Sequence, residues 1–288
     1  MPNLSDIGAI RALLNRYDFT FSKSLGQNFL VNASVCPRMA QACAESHNEG
    51  VIEIGPGIGV LTQELAQRFC KVVCYELDSR LLPVLDETLA DYDNVSVRNE
   101  DVLKADVNAL FADVFGGMRV SVCANLPYYI TSPILMFLLE SRFPLSNITV
   151  MVQKEAADRI CAMPGSRLAG ALTAAVHYYA EPEKLFSVSR GSFMPAPNVD
   201  STVIRLKVRE KPAVEVADEA HFFRLIAAAF GQRRKTAANS ISAGMGISKH
   251  VVEDALLSLG MEKNIRAETF TLKDFAAMSA AMIRIAAE

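Results

Sequence analysis

The chain has 288 residues, 51% of them hydrophobic and 21% charged, with a formal net charge of -3. It is too apolar to be disordered, and its slight acidity excludes a protein that coats nucleic acid indiscriminately while leaving room for a local basic surface. The opening MPNLSDIGAIRALLNRYDF carries Asp6 and Arg11 where a signal peptide needs an unbroken apolar stretch, and no segment supplies the ~18 apolar residues of a membrane span. A soluble, cytoplasmic protein without a membrane partner is expected.

From residue 51, short β-rich runs alternate with helical patterns. Strands are predicted at VIEI (51–54), KVVCYEL (71–77), VSVRN (95–99), RVSVCANL (119–126) and NITVMVQ (147–153), then at KLFSVS (184–189) and STVIRLKV (201–208). Between them, VLTQELAQRF and SPILMFLLESRF repeat their apolar residues at helical spacing. Continuous apolar strands alternating with helices predict an α/β, Rossmann-like domain whose mostly parallel sheet is covered on both faces. After REKPAVEVADEA the rhythm changes, and HFFRLIAAAFGQRRKTAANSISAGM, SKHVVEDALLSLGM and LKDFAAMSAAMIRIAAE read as three or four amphipathic helices. The expected organisation is an α/β domain over 1–211 and a small all-α C-terminal domain over 212–288. Cys36, Cys43, Cys70, Cys74, Cys123 and Cys161 form no C-x-x-C pair and the histidines no H-E-x-x-H, so free thiols and no metal site are expected.

VIEIGPGIGVLTQEL is a strand, a glycine-rich turn and a helix, and Gly55, Gly57 and Gly59 let a ligand approach the backbone closely. The dinucleotide fingerprint is G-x-G-x-x-G, whereas the third glycine here comes one residue early. That spacing favours an adenosyl ligand without a pyrophosphate; a tight turn with no ligand is the alternative. Glu76 ends the second strand, 21 residues after Gly55, where a carboxylate accepts hydrogen bonds from both ribose hydroxyls. Asp101 ends the third strand at the same sheet edge and is placed to accept from an adenine amino group. Alone, either acid reads as a solvated loop carboxylate. At the ends of consecutive strands, they outline an S-adenosylmethionine pocket.

The fourth strand ends in Asn125-Leu126-Pro127-Tyr128, on that same edge. An exocyclic amine on an aromatic base is a poor nucleophile because its lone pair is delocalised into the ring. Acceptors that bond its N–H groups out of the ring plane localise the lone pair. Asn125 offers its side-chain oxygen and Leu126 its backbone carbonyl, while Pro127 fixes the turn and adds no competing N–H. Tyr128 is placed to stack on the base, and Tyr129 is expected to pack. The alternative is a strand-end turn with both tyrosines packed under a loop.

Asn-Leu-Pro-Tyr after a strand and a G-x-G-x-G loop resembles the amino-methyltransferases that act on nucleic-acid bases. Nearly the whole chain is similar to the KsgA-type ribosomal RNA small-subunit adenine dimethyltransferases, through KSLGQNFLVN (23–32), EIGPGIGVLT (53–62), YELD (75–78), ED (100–101), NLPYYITSPI (125–134), VQKE (152–155), SFMPAPNVDS (192–201) and FGQRRKTAANS (230–240). The resemblance implies S-adenosylmethionine-dependent dimethylation of the N6 amine of two adjacent adenosines, in a hairpin near the 3′ end of 16S ribosomal RNA, linked to small-subunit biogenesis. It implies small-subunit RNA within a pre-small-subunit particle as partner; a monomer is expected, with oligomeric state left open by the sequence. It also implies that Asn28 and Leu30 lie over the methyl donor with Gly55, Gly57, Glu76, Asp101 and Asn125, and that Phe193 stacks on the flipped-out adenine opposite Tyr128. Read by itself, Phe193 is a core aromatic beside two prolines. The chain departs from some relatives at Ser24 and Leu25, where those carry arginine and an aromatic.

Arg233, Arg234 and Lys235 fall together at a predicted helix end, where phosphate contacts would position RNA without reading its sequence; a solvated basic turn is the commoner explanation. Arg205, Lys207 and Arg209 alternate along a strand and are placed to share a face with that cluster. Three other readings compete. A nicotinamide-dependent dehydrogenase would share the fold but not the glycine spacing, and titration with NADH against S-adenosylmethionine separates the two. The sister group that methylates large-subunit RNA is disfavoured by IGPGIG, FGQRRKT and the F-x-P-x-P block. A non-catalytic RNA-binding assembly factor on the same scaffold could coexist with activity.

Overall fold

Strands form readily in runs dense in valine and isoleucine, because their branched side chains fit a pleated surface. In the computed structural model, which describes residues 4, 6–22 and 26–287, they are β1 (Phe29–Leu30), β2 (Gly50–Ile54), β3 (Lys71–Tyr75), β4 (Val95–Arg98), β5 (Val120–Asn125), β6 (Leu145–Gln153), β7 (Ala180–Val188), β8 (Phe193–Met194) and β9 (Ser201–Val208). Lys23, Ser24 and Leu25, the start of the KSLGQNF block, lie outside the described residues.

Seven strands form one sheet in the order β4-β3-β2-β5-β6-β9-β7. β4, β3, β2, β5 and β6 pair in parallel, and β6 pairs with β9 antiparallel. β2 is buried at every position and β5 at all but its last, as expected of strands covered on both faces. The chain winds outward from β2 through β3 to β4, then returns to place β5 on the other side of β2. Between β2 and β5 the strand order reverses, and such a switch point opens a crevice at the carboxyl ends of the strands.

One cluster of buried side chains joins Val51, Val72, Cys74, Cys123 and Met151 of the sheet to Val35, Met39 and Leu65 of the helices Val35–Cys43 and Val60–Ala66. A second joins Ile10, Leu13 and Leu14 of the N-terminal helix Ile7–Arg16 to Phe19, Phe29 and to Leu81, Val84 and Leu85 beside them. Sequence periodicity did not single out the helices Ile7–Arg16 and Val35–Cys43. Nor did it show the two-stranded ribbon in which Leu30 of β1 faces Phe193 of β8, because a two-residue strand has no period to read.

The chain divides into two compact units, residues 1–157 with 183–208, and residues 158–182 with 209–288. The boundary expected near 211 lies close to the junction at 208–209, but 158–182 goes with the helical unit, not with the α/β domain of the 1–211 expectation. The reason is aromatic packing. Tyr178 and Tyr179, ending the helix Ala171–Tyr179, pack on Phe222 and Phe223 with ring centroids 5.1 to 5.5 Å apart. Packing these four rings together, three of them buried, outweighs the sequence proximity of this helix to the strands around it.

In the second unit, the helices Glu219–Phe230, Ala237–Met245, Lys249–Ser258 and Leu272–Ala287 match the predicted amphipathic segments. Asp218, Thr236 and Ser248 cap the first three by accepting backbone N–H bonds. A methyl group at Gly244 would lie 2.6 Å from Ala228 Cβ, so glycine sets how closely two of these helices approach.

Candidate active site

At the switch point, a pocket is lined by every residue expected from the sequence to touch donor or base: Asn28, Leu30, Gly55, Gly57, Glu76, Asp101, Asn125, Leu126, Pro127, Tyr128 and Phe193. They come from separate stretches of chain and meet because β2 to β5 all end on one sheet edge, with the β1–β8 ribbon beside it.

The glycine turn after β2 holds Gly55 at φ +72° and Gly59 at φ +90°, a backbone region costing other residues about 1–2 kcal/mol. Their surroundings differ. A Cβ on Gly59 would lie 3.0 Å from Thr88 Oγ1, so that glycine admits close helix packing, whereas a Cβ on Gly55 would meet no described protein atom within 4 Å. Gly55 thus keeps the pocket floor open to a ligand.

Glu76 is 6% exposed, and its carboxylate accepts from the backbone N–H of Asp78 at 2.8 Å and of Gly57 at 3.3 Å. Burial raises its pKa, and those two N–H groups oppose the rise. The carboxylate is fixed in orientation, ready to accept from a diol. Asp101 is more open: Oδ1 accepts from the N–H of Leu103 at 3.1 Å, and Oδ2 lies 3.8 Å from the exposed Lys104 ammonium.

The Asn125 turn is left differently. Among the described residues, neither the Asn125 side chain nor the Leu126 carbonyl takes part in a hydrogen bond. The Pro127 carbonyl is used, accepting from Ile130 N–H at 3.1 Å. Both residues line the pocket, and neither oxygen has a donor among the described residues, at a point where Pro127 supplies none. Tyr128 is held by a 2.8 Å hydrogen bond between its hydroxyl and Ser201 Oγ at the start of β9. Phe193, 5% exposed, belongs to the core cluster with Leu30 and also walls the pocket, so the core-aromatic reading and a wall position hold together. Tyr129, expected to pack, is instead 60% exposed.

Three residues escaped the sequence reading. Gln27 donates from Nε2 to Asp78 Oδ2 at 2.8 Å, and its Oε1 accepts from Ser22 N–H at 2.8 Å. Asp78 also receives Arg80 Nε at 2.8 Å and Nη2 at 2.6 Å, and that guanidinium holds its pKa below the usual range. The N-terminal segment is thereby tied to the loop that carries Glu76; Gln27 sits inside the KSLGQNFLVN block, but nothing local reveals its distant partner. Ser201, which anchors Tyr128, likewise depends on a pairing 73 residues apart. Glu53 did leave a signal, an acid inside the apolar run VIEI. It is 1% exposed, sits in register between Cys74 and Cys123, and accepts from the Cys74 thiol at 3.6 Å; burial lifts its pKa to about 7.

Arg233, Arg234 and Lys235 lie outside this pocket, in the exposed turn between the helices Glu219–Phe230 and Ala237–Met245. Among the described residues none of the three is ion-paired. Arg205 and Arg209, expected to share a basic face with them, spend their guanidinium groups on Glu183 and Glu181, each at 2.8 Å, and Lys207 between them is exposed.

The family model described as ribosomal RNA adenine dimethylase matches residues 18–281. The chain is 47% identical over 287 residues to the ribosomal RNA small subunit methyltransferase A of Bacillus mycoides (strain KBAB4) and to that of Bacillus cereus (strain AH187), covering 98% of each chain in both cases. It is also similar to the crystal structure of the 23S rRNA methyltransferase ErmE, at 27% identity and a TM-score of 0.67, covering 88% of this chain and 99% of that one. A dimethyladenosine transferase from Plasmodium falciparum shares the fold, with a TM-score of 0.73 at 24% identity, covering 89% and 98% of the two chains. Matched across both of its units, this chain belongs to the ribosomal RNA adenine dimethylases.

Proposed function

We propose that the enzyme uses S-adenosylmethionine to dimethylate the N6 amines of two adjacent adenosines in a hairpin near the 3′ end of 16S ribosomal RNA, acting as a monomer on a pre-small-subunit particle. The observation that carries the reading is the pair of undonated oxygens at Asn125 and Leu126, beside a pocket whose Glu76 carboxylate is already oriented. Identity of 47% to small-subunit methyltransferases against 27% to the 23S enzyme favours the small-subunit target.

The pocket suits the donor. Gly55 leaves space against its backbone, Glu76 accepts from the ribose, Asp101 accepts from the adenine amine, and Asn28 and Leu30 lie over the ligand from the ribbon side. The bound donor supplies a methyl group made electrophilic by its sulfonium.

Asn125 and the Leu126 carbonyl hold the two N–H groups of the target amine and aim its lone pair at the donor side, while Tyr128 and Phe193 clamp the base. The proton leaves only after attack, so the chain needs positioning and charge complementarity more than a strong base. After the first transfer one N–H remains, and a single acceptor holds the amine for the second. Arg233, Arg234 and Lys235 contact RNA phosphates in this scheme.

The test is transfer of labelled methyl from the donor to purified small subunits lacking the modification, with nuclease digestion of the product. Label in dimethyladenosine is the expected result. A protein that binds the donor yet leaves the subunits unlabelled contradicts the proposal.

A further inference from the structure

Tyr128 and Tyr129 are consecutive, line the same pocket, and are treated oppositely by the fold. Tyr128 is half-buried and tied by its hydroxyl to Ser201. Tyr129 leaves 60% of its surface in solvent. Its ring is nevertheless propped. A Cβ built on Gly26, whose φ is +59°, would lie 3.2 Å from Pro127 Cβ and 3.4 Å from Tyr129 Cε1, so the ring edge rests on bare glycine backbone at the pocket mouth.

An exposed aromatic ring supported from beneath, at the mouth of a pocket that holds a single reacting base, offers a flat apolar face just outside it. A base drawn out of its stack leaves its neighbour with an uncovered π-face. Aromatic side chains recognise such faces whatever the base, because every base has one. We propose that Tyr129 is a second nucleobase subsite, stacking on the base that adjoins the target adenosine in the RNA. Tyr128 and Phe193 then hold the reacting base while Tyr129 holds its neighbour, fixing the direction in which the strand enters. This inference rests on the reading that the pocket takes a base from RNA.

The test compares wild type, Tyr129→Phe, Tyr129→Leu and Tyr129→Ala in single-turnover methyl transfer to small subunits, with donor affinity measured in parallel. Tyr129→Leu keeps apolar bulk without a ring, and Tyr129→Phe keeps the ring without the hydroxyl. Loss of one base–aromatic stack predicts about a tenfold fall in kcat/KM for the Leu and Ala variants, retention of most of the rate by Phe, and little change in donor affinity. Subunits reconstituted with RNA that lacks the base beside the target should be methylated equally by wild type and Tyr129→Ala. If Tyr129→Ala weakens donor binding as much as transfer, the ring covers the donor and the proposal is wrong. It is wrong too if Leu matches Phe, or if the variant's deficit persists on the abasic RNA. Wild type that binds the donor and methylates no subunit removes the functional reading itself, and this subsite with it.

Discussion

The strand ends that meet in the pocket are finished in opposite ways. After β2 and β3, polar groups are satisfied within the protein: Glu76 accepts two backbone N–H bonds, and Asp78 accepts from Gln27 and Arg80. After β5, the Asn125 side chain and Leu126 carbonyl make no such bonds among the described residues. The difference matches two tasks. A ligand that binds the same way every time is best met by groups already locked in place, whereas contacts that must strengthen as an amine attacks are best left for the reacting partner.

The largest expected effect comes from removing one of those unspent acceptors. Asn125→Ala should slow single-turnover methyl transfer roughly 100-fold or more, the scale on which one positioned hydrogen-bonding group matters in a transition state. On the other strand end, Glu76→Gln should weaken donor affinity by about 10- to 100-fold in calorimetry, since charge-assisted hydrogen bonds are worth about 1.5–3 kcal/mol. Saturating donor should restore much of its rate, which sharpens the division between the two ends.

Smaller effects lie further out. Replacing Arg233, Arg234 and Lys235 with alanine should lower the slope of log affinity for subunits against log salt by about 2 to 3, leaving donor affinity alone. An unchanged slope removes that turn from the RNA interface. Gln27→Ala cuts the tie to Asp78 and should cost about 1 kcal/mol of donor affinity, a few-fold in titration. Least is expected of Glu53→Gln, and only in pH dependence. Burial lifts the Glu53 carboxyl from an ordinary 4.5 to about 7, so between those values the folded chain keeps a proton that the unfolded chain has lost. Stability from this group is full below about pH 4.5 and falls as pH rises towards 7. The urea midpoint of Glu53→Gln should show a flatter decline over that window.

Much of this architecture was legible in the sequence. β9 coincides with STVIRLKV, and β2 to β5 differ from their predicted runs by one or two residues at an end; β2 and β5 were plainest, because a parallel strand buried on both faces must be apolar throughout. The Gly55, Glu76, Asp101 and Asn125 positions were readable because each lies at or just past the end of a strand, and parallel strands bring their carboxyl ends to one edge. The hidden features depend on distant partners. Residues 158–182 joined the helical unit through tyrosine–phenylalanine packing that no local pattern encodes. The Gln27–Asp78 and Tyr128–Ser201 bonds join residues 51 and 73 apart. Tyr129 reads as a packing residue in any apolar-looking run, and only geometry shows that it is exposed.

The central claim is that the β5 end serves transfer while the β2 and β3 ends serve donor binding. Its most direct test is the donor dissociation constant of Asn125→Ala, taken by calorimetry on the same preparation whose methyl-transfer rate is measured. Affinity should stay within about tenfold of wild type beside a rate lowered about 100-fold or more. Equal losses in affinity and rate, or a rate left near wild type, would contradict the claim.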